Sequence, residues 1–474
     1  MPRPPFSGPI AALVLSAAFI AILPAEIESF AVPQPPAPSR APSSGDAAPP
    51  QPGPASPATT GDQPITGVVT ATEGSRVPIA IAPPDEGGSL ASTREIQATI
   101  RADLEFTGYF DLLPEERSAL VTKPAGGGLP PFQEWLSVGA DSLAVLAVSE
   151  SAQAKGGARL EATMKVWDTR SGQRIMGNIF AGETEYLRKV AHRISDEVVR
   201  SLTGQQGIAT TWISYVSRTG PKTKEIYLMD YDGAHPRRLA RTGSLCLSPA
   251  WSPDGQQLAY ISFRGRQPGI EVIDLDARIR RLPTSGGDLN SAPDWSPDGR
   301  RVAYTSNRDG NSEIYVMDVA SGQERRLTFN SAIDASPAWA PAGREIVFTS
   351  SRAGNPQIYI MDDSGGNVRR LTTNGDYNDS AAWSPRGDRI VYVSRLDGRF
   401  ELFVHDLATG VASQLTRTGR NNENPRWSPD GRHLVFASDR TGDYQIWTMG
   451  ADGSNPRRLT SGEASFTPDW SHPR

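Results

Sequence analysis

The sequence has 474 residues, which is more than one hydrophobic core usually holds, so we expect two or more domains. It contains 48 Lys and Arg against 53 Asp and Glu, a net charge of −5, which argues against nucleic acid as a partner because phosphate binding needs a basic excess. The single cysteine, Cys246, excludes an internal disulfide, and we expect it to be a small buried residue.

Residues 1–31 have the pattern of a signal peptide. Arg3 precedes an uncharged apolar run of 15 residues from Pro9 to Leu23, and small residues follow at Ala25 and Ala31. A membrane-spanning helix needs about 20 apolar residues, so we predict cleavage near Ala25 or Ala31 and export of the mature protein. An uncleaved membrane anchor is the alternative.

Residues 32–65 are predicted to form a flexible linker. Eleven of the 33 residues from Pro33 to Ile65 are proline, and Ala, Ser, Gly and Gln make up most of the others. Such a segment cannot bury enough apolar area to offset the entropy lost on ordering. We therefore expect a semi-extended tether that sets the distance between its two ends and carries no functional site.

Residues 66–203 predict a small α/β domain. A strand at 77–83 precedes a helix at 92–108, which carries an apolar stripe at i, i+4 and i+8 and a Ser-x-x-Glu capping box at Ser92 and Glu95. Three strand-like runs at 142–150, 158–169 and 173–182 and a helix at 185–202 follow. No phosphate loop, nucleophile elbow or metal-ligand spacing is visible in this region.

Residues 208–474 contain a repeat that predicts a six-bladed β-propeller. Tryptophans follow one another at intervals of 44, 44, 44, 44 and 43 residues: Trp251, Trp295, Trp339, Trp383, Trp427 and Trp470. Each period holds four short runs of β-branched or aromatic residues, separated by Gly, Asp, Asn or Pro turns, which is typical of four strands in a propeller blade. The tryptophans are predicted to pack between blades, with ligand stacking as the alternative.

The order of the strands predicts how the ring closes. The second, third and fourth strands of the period begin at Ile213, whereas the Pro-x-Trp strand first occurs at Trp251. One Pro-x-Trp copy, Pro468 to Ser471, is left over at the C-terminus. We predict that it pairs with Ile213 to Ser217 and closes the ring, which removes the exposed sheet edges.

Two further sets of residues are predicted to be structural. A recurring arginine after the second strand is expected to form a hydrogen bond between blades; its copies are Arg218, Arg264, Arg308, Arg352, Arg395 and Arg440. Acidic pairs at the strand ends lack the spacing of a calcium loop and predict Asx turns, and the five histidines are scattered. We therefore expect no metal site and no cofactor.

The Trp-Ser-Pro-Asp-Gly, Ile-Tyr-x-Met-Asp and Arg-Arg-Leu-Thr phrases, behind a small α/β domain and a signal peptide, resemble the TolB family of the Tol-Pal system. The resemblance covers about residues 64–471. It implies a periplasmic adaptor that binds the peptidoglycan-associated lipoprotein Pal at one propeller mouth and communicates with TolA through the segment before the α/β domain. It also implies roles in outer-membrane integrity and in constriction during cell division. We expect a monomer without a membrane span.

The candidate binding residues lie where each blade's innermost strand begins. These strands line the channel of a propeller, so the loops that lead into them are predicted to form the rim of one mouth. By position before the Pro-x-Trp phrase, three residues match family positions implicated in Pal binding: Leu245, Ser248 and Ser291. The rim argument alone adds Asn290, Asp334, Asn378, Asp379, Asn422 and Glu423, for each of which loop capping is the alternative.

A propeller enzyme is the competing hypothesis. No Gly-x-Ser-x-Gly pentapeptide occurs in the sequence, which argues against a hydrolase domain of the oligopeptidase type. A glycan lyase or hydrolase that uses channel carboxylates stays open, because acidic residues on different blades cannot be paired from sequence. Since no active site is visible, we predict a binding function and no enzyme.

Overall fold

The computed structural model describes residues 76–84, 89–122, 128–152, 158–265, 267–284, 286 and 289–473. The predicted signal peptide and the predicted linker lie outside these residues. Within the described ranges, no helix combines the length and the apolar composition that crossing a membrane requires.

The amino-terminal part is an α/β domain, as the sequence predicts, but its sheet has five strands where four were predicted, and it holds two short helices that were not predicted. The strands follow the order β2-β1-β3-β4-β5, and β1 is parallel to β2 and β3 while β3, β4 and β5 are antiparallel. The strands are β1 Val77–Ile81, β2 Phe110–Leu112, β3 Ser142–Ala152, β4 Ala158–Asp168 and β5 Arg174–Glu183. The helices are α1 Leu90–Thr107, α2 Glu115–Ser118, α3 Phe132–Ser137 and α4 Leu187–Thr203, with a 3₁₀ turn at Thr184–Tyr186.

Helices α1 and α4 pack together against the sheet. The predicted stripe of α1, which includes Ile96 and Leu104, is fully buried in the domain core. The capping box predicted at Ser92 is wrong, because α1 already begins at Leu90 and Ser89 takes the N-cap position. Ser92 therefore lies within the first turn, and its hydroxyl donates a hydrogen bond to the Glu150 carboxylate.

The carboxy-terminal part is a ring of six four-stranded antiparallel sheets, which confirms the predicted propeller. We number the blades 1 to 6 in ring order. Blade 1 holds β29 Ser465–Trp470, β6 Trp212–Gly220, β7 Thr223–Asp230 and β8 Arg237–Arg238. Blade 2 holds β9 Cys246–Trp251, β10 Gln257–Ser262, β11 Gly269–Asp274 and β12 Ile279–Arg281. Blade 3 holds β13 Asn290–Trp295, β14 Arg301–Ser306, β15 Glu313–Asp318 and β16 Glu324–Arg326.

The other three blades repeat this arrangement. Blade 4 holds β17 Asp334–Trp339, β18 Glu345–Ser350, β19 Gln357–Asp362 and β20 Arg369–Arg370. Blade 5 holds β21 Asn378–Trp383, β22 Arg389–Leu396, β23 Arg399–Asp406 and β24 Ala412–Gln414. Blade 6 holds β25 Asn422–Trp427, β26 His433–Ser438, β27 Gln445–Gly450 and β28 Arg457–Arg458.

The ring closes through the last strand, as predicted. Strand β29 pairs antiparallel with β6, with Trp470 opposite Ile213. Just after the strand, the Ser471 backbone N–H donates to the Trp212 carbonyl at 2.8 Å. The Trp212 backbone N–H donates to the Ser471 hydroxyl, also at 2.8 Å. The closing strand starts at Ser465, three residues before the predicted segment.

The repeated tryptophans pack between neighbouring blades, which confirms that prediction. Each of them lies in an apolar cluster built from two adjacent blades. Trp295 of blade 3, for example, packs with Ile270 of blade 2, and the Trp427 indole N–H donates to the Ala382 carbonyl of the preceding blade at 3.1 Å. Cys246 is fully buried in one of these clusters, also as predicted.

The recurring arginines of blades 3 and 4 bond within their own blades, so the predicted bonds between blades are wrong there. Arg352 donates to Asp334 at 2.8 Å, and both residues belong to blade 4. Arg308 donates to Glu324, and both belong to blade 3. The reason is the antiparallel sheet, which brings the end of the second strand beside the start of the first strand and near the fourth strand of the same blade.

Candidate functional site

The innermost strands of the blades define a central channel with two different mouths. Strands β29, β9, β13, β17, β21 and β25 contact one another in succession around the ring. All six run in the same direction and end at the repeated tryptophan. We call the end where these strands begin the strand-start mouth, and the other end the tryptophan mouth.

The α/β domain lies at the tryptophan mouth. The Phe106 ring of α1 stacks on His433 with ring centres 4.1 Å apart, and its centre is 6.5 Å from that of Trp470. The Arg432 guanidinium donates to the Thr107 carbonyl at the end of α1 at 3.0 Å. The strand-start mouth, which holds the predicted binding residues, therefore faces away from this domain.

The predicted binding residues lie in strands and not in loops, which corrects the sequence-based placement. All but Leu245 occupy the first three positions of an innermost strand, and Leu245 directly precedes β9. Three are partly exposed: Leu245, Ser248 and Ser291. The others are buried: Asn290, Asp334, Asn378, Asp379, Asn422 and Glu423. The residue types at these positions are typical of loops, so the sequence did not predict that they belong to strands. The hydrogen bonds that extend each strand come from residues distant in the sequence.

The first residue of β25 is a hydrogen-bonding centre that reaches both its own blade 6 and Glu401 on β23 of blade 5. The Asn422 amide donates to Glu401 at 2.9 Å, and its carbonyl oxygen accepts from Ser438 at 2.8 Å and Arg440 at 2.7 Å. Asp334 is held in the same way by Arg352. These bonds favour the capping alternative for such residues, and direct contact with a partner stays a prediction.

Asn290 and Asn378 occupy the same strand position in blades 3 and 5. The Asn378 amide donates to the Gln357 side chain at 2.9 Å, and the Asn290 amide donates to the Gly286 carbonyl at 3.1 Å. The amide oxygen of each is buried without a partner among the described residues. The Asn290 side chain thus connects its strand to the segment before it, and the Asn378 side chain connects blade 5 to β19 of blade 4.

Asp379 and Glu423 give the strand-start mouth an acidic side at blades 5 and 6. Asp379 accepts hydrogen bonds from Thr349 at 2.7 Å and from Tyr377 at 3.3 Å. The Tyr444 hydroxyl donates to Glu423, and burial raises the pKa of Glu423 to about 7. The neighbouring carboxylates, including Asp379, also favour the protonated form of Glu423.

A bulge in every innermost strand shapes this mouth. The third residue of each strand has a positive φ between 40° and 55° although none is glycine: Ser248, Ala292, Ser336, Ser380, Asn424 and Thr467. The pairing register shifts at the same place in each blade. A bulge redirects the side chains around it, and a non-glycine residue in this region of φ is strained. Because none of these positions is glycine, the bulge could not be predicted from the residue types.

The tryptophan mouth opens into a cavity of about 510 Å³ that is lined by all six repeated tryptophans. Asp294 and Asp469 also line it, and sequence analysis missed both. Asp294 accepts a hydrogen bond from the Trp339 backbone N–H at 2.8 Å, which joins blades 3 and 4. Asp469 accepts from the Trp251 N–H at 2.7 Å, which joins blades 1 and 2.

Burial changes the protonation of these two carboxyl groups. It raises the pKa of Asp294 to about 7 and that of Asp469 to about 6, while the Arg426 guanidinium opposes both shifts. Within the described ranges, no group of three or more His, Cys, Asp or Glu side chains is placed to hold a metal ion.

A buried polar network joins the α/β domain to blade 1. The Asp103 carboxylate of α1 accepts from Ser195 of α4 at 2.7 Å and from the Tyr231 hydroxyl of the propeller at 2.6 Å, and it lies 2.9 Å from His192 Nδ1. Burial alone would lower the pKa of His192, but the hydrogen bond and charge of Asp103 outweigh it and raise that pKa. Beside it, the Arg188 guanidinium pairs with Asp232.

Comparison with known proteins assigns families to both regions. Residues 199–423 and 393–473 match the family described as the TolB beta propeller domain, and residues 67–175 match the TolB amino-terminal domain. A crystal structure of TolB from Acinetobacter baumannii superposes with a TM-score of 0.69 at 28% identity, covering 84% of this chain and 97% of that chain.

Two curated relatives are both named Tol-Pal system protein TolB. The Nitrosococcus oceani protein is 37% identical over 215 residues, which are 44% of this chain and 48% of the relative. The Bordetella avium protein is 37% identical over 211 residues, which are 44% of this chain and 45% of the relative. The chain thus spans about half the length of these relatives in the matched region.

Proposed function

This chain belongs to the TolB family, and from that premise we propose that it is a periplasmic adaptor that binds the lipoprotein Pal at the strand-start mouth. The observation that carries the proposal is the contrast between the two ends of the innermost strands. Every strand ends in tryptophan, whereas the first three residues together form a different sequence in each blade, although Asn stands first in three of them. Variable side chains on a repeated, rigid scaffold are what the recognition of one asymmetric partner requires.

The position of the α/β domain supports the same choice of mouth. Phe106 and Arg432 hold the end of α1 against the tryptophan mouth, so a partner meets less obstruction at the strand-start mouth. At that mouth Leu245, Ser248 and Ser291 are partly exposed and are the residues we propose to contact Pal. The buried Asn290, Asp334, Asn378, Asp379, Asn422 and Glu423 act in this proposal mainly by holding the strand starts in place.

The remaining assignments extend the proposal. We place residues 1–31 as a signal peptide, 32–65 as a linker, 66–203 as the α/β domain and 208–474 as the propeller, acting as a monomer. The segment before the α/β domain would communicate with TolA, and the assembly would support outer-membrane integrity and constriction during division. The signal peptide pattern and the names of the relatives support the periplasmic location.

The alternative of a glycan lyase or hydrolase is not favoured. The relatives are named as components of the Tol-Pal system, and this chain is accordingly a non-enzymatic member of that family. The carboxylates inside the channel also have structural partners, since Asp294 and Asp469 each accept a backbone N–H from the next blade.

The test is titration of the mature protein with Pal that lacks its lipid. We expect Leu245→Ala and Ser291→Arg to weaken binding by about tenfold or more, as truncation or obstruction of central interface residues does. Gln256→Arg is the matched control, because Gln256 is exposed in the same blade as Leu245 but on the turn at the tryptophan end. Absence of binding by the unmodified protein, or an equal loss in the control, would overturn the proposal.

A further inference from the structure

Blade 1 breaks the arginine pairing that the other blades keep. In blades 2 to 6 the recurring arginine has a polar partner within its own blade: Arg264 with Glu271, Arg308 with Glu324, Arg352 with Asp334, Arg395 with Asp376 and Arg440 with Asn422. In blade 1 the corresponding Arg218 lies directly opposite Lys224 across the β6–β7 hairpin. Like charges in directly opposite positions destabilise a sheet, so this pair works against the fold.

Neither cation is neutralised in the part of the chain that the structure describes. No ion pair joins Arg218 or Lys224 to a carboxylate among the described residues, and Arg218 is exposed. The Lys224 ammonium is half-buried and lies 3.8 Å from the centre of the Phe466 ring. Burial, together with the smaller effect of the Arg218 charge, lowers the pKa of Lys224 to about 8. A half-buried ammonium without a carboxylate partner costs free energy, which its cation–π contact with the Phe466 ring offsets in part.

Lys224 lies beside one of the proposed Pal contacts. Its backbone N–H donates to the Ser244 carbonyl at 3.2 Å, and it forms an isolated parallel bridge with Leu245. Phe466, on which the ammonium rests, is the second residue of β29, the innermost strand of blade 1. The two cations therefore stand at the strand-start mouth, next to the proposed contact surface.

The repeat shows that a cation at the position of Lys224 is not required for a blade. Lys224 lies two residues before the apolar run that each blade repeats in its third strand. The other blades carry uncharged residues at this position: Pro268, Ser312, Pro356, Phe400 and Tyr444. Five blades thus fold with no cation at this place. A charge found in one copy of a repeat, with a cost to the fold, points to a ligand rather than to the scaffold.

We infer that Lys224 and Arg218 form a cationic contact point for a carboxylate side chain of Pal. The inference rests on the proposed function and names the chemistry of its partner at blade 1. Asp379 at blade 5 of the same mouth would repel that carboxylate, and Glu423 at blade 6, whose pKa is about 7, would add to the repulsion above neutral pH, which would orient the partner. An incoming carboxylate would also relieve the repulsion between the two cations.

Titration of Pal lacking its lipid into the full mature protein, at several salt concentrations, tests the inference. We expect Lys224→Met to weaken binding by at least about tenfold and to reduce its salt dependence, whereas Lys224→Arg should retain binding to within about threefold. Lys222→Met is the matched control, since Lys222 is an exposed lysine two residues earlier on the same hairpin, and it should change binding by less than about twofold.

Thermal unfolding separates a binding role from a structural one. Because Lys224→Met removes a repulsive pair, the variant should be as stable as the parent or more stable while it binds less. If the parent binds Pal and Lys224→Met binds equally well, this inference is overturned and the proposed function stands. If the parent binds no Pal, both fail together.

Discussion

At the scale of single residues, Asn422 shows that a side chain at the strand-start mouth can stabilise the fold. Its side chain bonds with Ser438 and Arg440 of blade 6 and with Glu401 on β23 of blade 5. We predict that Asn422→Ala lowers the free energy of unfolding by about 1–3 kcal/mol, because it leaves buried polar groups without partners. Ser291→Ala, at a partly exposed mouth position, should change it by less than about 0.5 kcal/mol. Urea unfolding measures both, and equal losses would refute the distinction.

Asp294 gives a residue-scale prediction for pH. Its pKa in the folded protein is about 7 because of burial, whereas that of an unfolded aspartate is about 4. The stabilisation from the bound proton is therefore complete below about pH 4 and is lost as the pH rises to about 7.

Asp294→Asn should remove that pH dependence and keep the bond to the Trp339 N–H, since an amide oxygen also accepts. We expect the variant to gain stability over the parent between about pH 4 and pH 8, by on the order of 1 kcal/mol or more at the upper end. Denaturant unfolding at a series of pH values checks this. A difference between the two proteins that does not vary with pH would contradict it.

At the scale of elements, the contact of α1 and α4 with blade 1 depends on a few polar bonds. The Tyr231 hydroxyl is the propeller's donor to Asp103. We predict that Tyr231→Phe lowers stability by about 1–2 kcal/mol, because the buried carboxylate loses one of its hydrogen bonds. Calorimetry should show the α/β domain melting earlier or separately, as expected when an interface between domains weakens. Tyr215→Phe, in the same blade but away from Asp103, is the control; an identical melting profile for the two variants would argue against a coupling role.

What the sequence allowed us to predict differs between the elements and the site. The regular tryptophan interval and the turn residues predict the blades, and the unpaired Pro-x-Trp strand at the C-terminus predicts how the ring closes. These features could be read from the sequence because they are local or repeated. The partners of Asp294 and Asp103 could not be predicted, since Trp339 is 45 residues from the first and Tyr231 is 128 residues from the second. Burial of the strand starts was missed for the same reason.

At the scale of the whole molecule, the two mouths of the channel are chemically different. The tryptophan mouth combines repeated aromatic residues with Asp294 and Asp469, and the α/β domain lies beside it. The strand-start mouth has cations at blade 1 and carboxylates at blades 5 and 6. A partner that approaches this mouth therefore meets an asymmetric field, which a six-fold scaffold alone would not provide.

Closure of the ring makes the last strand a condition for the stability of the whole propeller. Removal of residues 465–474 would delete β29, leave β6 as an open edge, and take away Trp470 from the cluster between blades 6 and 1 and Asp469 from its bond to blade 2. We predict a loss of several kcal/mol, given that deletion of one large buried aromatic alone costs about 3–5 kcal/mol. Truncation after His472 is the control, because it keeps β29 and the two bonds between Trp212 and Ser471. Calorimetry of both truncated proteins tests this prediction. The protein that lacks residues 465–474 should melt at a lower temperature and with reduced cooperativity. Equal melting temperatures would mean that the ring is stable without its closing strand.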